Sequence, residues 1–92
     1  MSKLDLGTIV STSGVQAMME RDILFRVGVQ QALANHTNGN WGDLSEHDKK
    51  VNDDALKTGE QILSAYNLGN ERIWIITECD RSVTTILLPE EY

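Results

Sequence analysis

The chain has 92 residues, 40% of them hydrophobic, and its 14 acids against 8 bases give a net charge of −6. That length makes one domain, residues 1–92, which buries roughly 60–65% of its unfolded surface. The composition excludes an intramolecular disulfide, since Cys79 is the one cysteine, and it excludes a membrane span, which needs an apolar run of ~18 residues.

Leu6–Ser11 is a short β-prone run that can add a strand to a sheet edge. Thr12 or Ser13 then caps a first helix, with Val15, Met18 and Met19 at helical spacing. That helix breaks near Arg21-Asp22, and Asp22 caps a second. Leu24, Phe25, Val29, Ala32 and Leu33 form its apolar stripe. Gly28 inside it costs about 1 kcal/mol relative to alanine and permits close packing on a sheet. Asn38-Gly39 stops it near His36.

Asn38–Leu44 is a loop by its glycines and asparagines. Trp41 in that loop has two readings. It folds back as a plug for one end of the core, or it stands out as an anchor for a partner. Ser45 opens a third helix, with Asp48 at the third helical position and acids suited to the helix dipole. It runs to about Lys57 before Gly59, with a thin apolar face of Val51, Ala55 and Leu56. The rest of its circumference is charged, including Asp53 and Asp54.

Residues 62–92 organise the chain. Three β-branched and aromatic runs are separated by Gly69-Asn70 and Asp80-Arg81, the pattern of an antiparallel meander. Glycine first suits a type II′ turn, which pairs Leu68 with Glu71, Tyr66 with Ile73 and Ser64 with Ile75. A two-residue turn at Asp80-Arg81 puts Cys79 opposite Ser82, Thr77 opposite Thr84 and Ile75 opposite Ile86. The expected fold is α+β: an antiparallel meander of three strands, with a fourth from residues 6–11, against two or three short helices.

Both faces of that meander are largely apolar. One carries Ile62, Ser64, Tyr66, Ile73, Ile75, Thr77, Thr84, Ile86 and Leu88. The other carries Leu63, Ala65, Trp74, Ile76, Glu78, Val83, Thr85 and Leu87. Short helices can cover one face but hardly two, so Trp74, Ile76, Val83 and Leu87 are expected to form a dimer face. The rival is that Leu4–Val10 folds across that face and closes the monomer.

Chemistry is sparse. His36 and His47 lie on different elements, and Asp43, His47 and Asp54 have no metal-ligand spacing. No metal, cofactor or catalytic residue is expected, and Asp43 is read as accepting from backbone amides near the third helix. Cys79 lies between Glu78 and Asp80, surroundings opposite to those of a nucleophilic thiol. Asp80-Arg81-Ser82 reads either as turn chemistry or as a recognition tip.

The acid excess lies late in the chain. Residues 1–42 hold three acids and three bases, residues 43–57 five and three, and residues 58–92 six and two. Direct nucleic-acid binding, which needs cations on phosphates, is not expected. A basic protein partner is compatible with this balance, as is ordinary solubility. The opening Met1–Asp5 lacks the pattern of a signal peptide, so a reduced cytoplasm is expected.

The runs Asn40–Leu44, Leu63–Tyr66 and above all Trp74–Tyr92 resemble motifs of a family of small bacterial proteins carried on plasmids and integrative elements. Members are called plasmid-related or uncharacterised, and some bear a restriction-subunit label. The likeness covers residues 40–92. The family usually has alanine where this chain has Cys79. The resemblance implies a mobile-element setting and brings no catalytic residues. Three functions stay open. The first is a non-enzymatic protein-binding module, such as an inhibitor of a basic nucleic-acid-binding defence complex (a restriction or CRISPR effector), contacting its partner through Trp41, Asp43, Asp53, Asp54, Asp80 or Arg81. The second is a homodimeric structural or regulatory protein. The third is a small metal-assisted hydrolase using Asp43, His47 and nearby acids.

Overall fold

Strand β1 (Thr8–Ser11) leads into helices α1 (Ser13–Arg21), α2 (Ile23–Thr37) and α3 (Glu46–Thr58), followed by strands β2 (Ile62–Leu68), β3 (Glu71–Thr77) and β4 (Val83–Leu87) and a 3-10 turn at Pro89–Glu91. The structure, a computed structural model, describes residues 4–92; Met1–Lys3 of the opening segment lie outside them. The sheet order is β1-β4-β3-β2. No helix among the described residues is long and apolar enough to cross a membrane.

Both meander registers are the expected ones. Leu68 pairs with Glu71, Tyr66 with Ile73 and Ser64 with Ile75. Thr77 pairs with Thr84 and Ile75 with Ile86. Gly69 takes φ +66°, as the first central residue of a primed turn requires. The second turn differs from expectation. Its reverse turn is closed by the Arg81 amide donating to the Glu78 carbonyl, and the strands close one step further out, where Glu78 donates to Val83. Cys79 to Ser82 thus form a four-residue loop, and Arg81 takes the left-handed conformation at φ 62°.

The sheet is also mixed rather than antiparallel throughout. β1 lies parallel to β4, with Ile9 beside Thr84 and Val10 beside Thr85. The Thr12 amide donates to the Ile86 carbonyl, which starts α1 at the far end of β4. From there α1 and α2 fold back over the sheet, and the chain continues through α3 to β2 on the opposite edge.

Asp22 forms the elbow between the helices, its carboxylate accepting from the Leu24 and Phe25 amides. The buried stripe of α2 is Phe25, Val29, Ala32 and His36. Leu24 was expected in that stripe but is 79% exposed. It sits one residue, about 100° of rotation, off a stripe spaced by four, three and four. α3 also departs from its expected face: Ala55 is buried, but Val51 and Leu56 are exposed and Asn52 is buried instead.

The core lies on the first face of the sheet. Val15, Phe25, Val29 and Ala32 pack there with Tyr66, Ile73, Ile75, Ile86 and Leu88. A second cluster joins Leu4, Trp41 and Ala55 to Ile62. Each fully buried isoleucine contributes about 1.5–3 kcal/mol. Leu4 therefore packs on the first face and residues 8–11 form an edge strand, so Leu4–Val10 does not fold across the second.

Candidate interaction surface

The two edges of the sheet are built differently. Along β2, every outward backbone group from Leu63 to Ala65 has a partner. The Asn52 amide donates to the Leu63 carbonyl at 2.6 Å and accepts from its N–H at 3.3 Å. Ala65 donates to the Trp41 carbonyl, and its own carbonyl accepts from the Asp43 amide at 2.7 Å. One step on, the Asp43 carboxylate accepts from the Asn67 amide at 3.0 Å. Gly42 makes this approach feasible: at φ +76°, a Cβ there would stand 2.0 Å from the Ala65 carbonyl oxygen.

Several of the expected partner residues take part in these contacts. Trp41 is 3% exposed, so it is the core plug and not an anchor. Its indole donates to the Asp53 carboxylate at 2.9 Å. Asp43 serves β2 rather than the amides of α3. Asp54 remains exposed on α3. The structure does not bring Asp43, His47 and Asp54 together, and the described residues contain no group of three His, Cys, Asp or Glu side chains placed to hold a metal ion.

Arg81 is a clamp. Its guanidinium donates to the carbonyls of Glu60 at 2.7 Å, Ala55 at 3.1 Å and Glu78 at 3.2 Å. A cation on the last carbonyls of α3 also suits the helix dipole. Asp80 accepts from the Ser82 hydroxyl and amide, and these bonds hold its carboxyl below the usual range. Asp80 thus carries the expected turn chemistry and remains exposed. Cys79 is exposed and free.

The first face hides a polar chain that spacing alone did not reveal. Thr84 donates to the Leu6 carbonyl at 2.8 Å, so its contact with Thr77, also 2.8 Å, must be one it accepts. Thr77 therefore accepts from His36 Nε2 at 2.8 Å. That places the imidazole proton on Nε2, and Nδ1 accepts from the Ser64 hydroxyl. Burial pulls the His36 pKa down to about 4, consistent with a neutral ring. Ser64 and His36 touch as a nucleophile and base do, but both are wholly buried. They have no route to a substrate and act as a polar seam. Beside them, the Tyr66 hydroxyl donates to the Asn40 carbonyl, and burial pushes its pKa up to about 12.

The β1 edge and the second face contrast with this. Thr8 and Thr12 donate to Ser82 and Ile86. Alternation along a parallel ladder turns Val10 the same way and points the Ile9 and Ser11 amides outward. Ile9 and Val10 are 47% and 41% exposed. Val10 shares the second face with Thr85, its neighbour in register.

Neither buried cluster includes a residue of the second face. The expected dimer face is nonetheless only partly open. Ile76 and Leu87 keep 4% exposure, whereas Trp74 and Val83 are half-buried. Ile76 lies between Leu63 and Thr85 in register, with Trp74 on the same strand face. Tyr92 meets the Trp74 ring edge-on at 5.7 Å. Glu91 anchors that segment by accepting from Thr12, Gly14 and Leu88, which lowers its pKa. Sequence reasoning missed Tyr92 and Val10 as surface residues; the signal was a β-branched run without a charge or proline to protect an edge.

No family model, curated protein or solved structure matches the chain.

Proposed function

We propose that this protein is a non-enzymatic protein-binding module whose contact surface is the second face of the sheet together with the open β1 edge. The observation that carries this reading is the asymmetry of the sheet. Helices cover the first face and a loop with α3 closes the β2 edge, while among the described residues no helix or loop covers the outward amides of β1 or the flank formed by Val10, Val83, Thr85 and Trp74, where Tyr92 alone packs on Trp74. An exposed strand edge recruits an added strand through backbone hydrogen bonds, and the adjoining face supplies side-chain selectivity.

The family resemblance and the acidic charge support a mobile-element protein that acts on a host defence complex with a cationic surface, such as a restriction or CRISPR effector. The open edge equally supports a homodimer, with β1 pairing to its copy across a two-fold axis. Val10→Lys is the test, because it charges the surface without touching the core. Light scattering coupled to gel filtration gives the mass, and affinity capture from a host lysate gives the partner. Loss of a stoichiometric defence-complex partner in Val10→Lys supports the first reading. A wild-type dimer that becomes a folded monomer supports the second. A partner or dimer that survives Val10→Lys and Thr85→Lys unchanged contradicts both uses of the surface.

A further inference from the structure

We propose that the groove between the α1–α2 elbow and the tip of the β2–β3 hairpin binds a cationic segment of a partner protein, seating one apolar side chain between two carboxylates. This rests on the protein-binding reading but uses a different surface. The groove has a volume of about 550 Å³, within the range of small-ligand sites.

Its floor is apolar, formed by Met18, Phe25 and Leu68. Gly28 keeps the floor low: a Cβ there would lie 3.1 Å from a Leu68 methyl. Leu24 lines the mouth at 79% exposure, and Ile23 and Val27 beside it on α2 are 66% and 52% exposed. An apolar ridge this open on a charged chain has the character of a contact site.

The rims choose the partner. Asp22 and Glu71 stand on the groove, and no lysine or arginine lines it. Asp22 uses one oxygen to cap α2, and neither acid forms an ion pair among the described residues. Arg72, next to Glu71, is turned away to Asn67 and the Asp43 carbonyl. A second copy of this chain would bring its own Asp22 and Glu71 against these, and like charges disfavour that pairing. A segment with an apolar residue flanked by arginines or lysines satisfies both floor and rims.

The probe is a fluorescent peptide containing Arg-Arg-Phe-Arg-Arg, compared with Arg-Arg-Ala-Arg-Arg and Glu-Glu-Phe-Glu-Glu versions. Fluorescence anisotropy reads affinity and amide chemical shifts read location. The first peptide is expected to bind saturably, moving the Gly69, Asn70 and Glu71 amides, and to bind more tightly than either control. Glu71→Lys and Leu24→Lys, both on exposed positions, should each weaken it by about tenfold or more. Val10→Lys should leave it unchanged. Equal binding of the alanine version, shifts confined to α3, or indifference to Glu71→Lys would overturn the inference. In those cases a partner that still depends on Val10 keeps the broader reading intact.

Discussion

The two edges of this sheet are opposite solutions to one problem. An unpaired strand edge is a template for any other chain. At β2, Asn52 imitates a neighbouring strand with its side-chain amide, and Trp41–Asp43 supplies real backbone on the same edge. At β1, Thr8–Ser11 carries no charge and no proline, and among the described residues no strand pairs with its outer side. The difference teaches that protection here is selective. The fold closes one edge with a loop, a helix face and a glycine, and leaves the other unpaired among the described residues.

The largest expected effect comes from opening the closed edge. Gly42→Val forces a Cβ into the Ala65 carbonyl and a β-branched residue into φ +76°. A loss of at least ~3 kcal/mol is expected, from the short group of severe mechanisms. Urea denaturation measures it, and a loss under ~1 kcal/mol would mean the loop is not docked as described.

Acid should come next. The His36 pKa is lowered from 6.5 to about 4 in the folded protein, so the unfolded chain binds the extra proton between those values. Its stabilising contribution is full above pH 6.5 and is lost as pH falls to about 4, by ~3 kcal/mol. Denaturation midpoints across that range give the slope. In His36→Gln the histidine part of the slope should vanish, and a slope that persists unchanged would assign it to another group.

Arg81→Ala should cost about 2 kcal/mol, since a charged donor to three backbone carbonyls disappears. Arg81→Lys keeps the charge but not the fork, so it should recover only part of this loss. Equal stability of all three proteins would remove Arg81 from the account of how α3 is held. The smallest effect on folding should be Val10→Lys, within about 0.5 kcal/mol, although it alters the open edge most.

Much of the architecture was legible in local chemistry. Gly69-Asn70 set the β2–β3 register, Asp22 marked the helix elbow, and Gly59 ended α3. These signals act over a few residues. The β3–β4 turn was misread because its two-residue form and the observed loop leave Thr77 opposite Thr84 alike; only the left-handed Arg81 distinguishes them. The parallel placing of β1 depends on where α1 must start, which is a tertiary constraint. The Thr77–Thr84 link of the polar seam follows from the expected register, but His36 reaches Thr77 across 41 positions, beyond any periodic signal. The surface was half legible. The two apolar faces stood out in the alternation, but the burial of Ile76 and Leu87 on the second of them did not.

Amide hydrogen exchange tests the central claim, that β1 is an open edge and β2 a closed one, most directly. In the isolated protein at low concentration, the Ile9 and Ser11 amides should exchange far faster than those of Leu63, Ala65 and Asn67. Raising the concentration, or adding a captured partner, should slow Ile9 and Ser11 while the β2 amides stay as they were. Equal protection at both edges of the free protein, or new protection on binding that bypasses β1, would contradict the account.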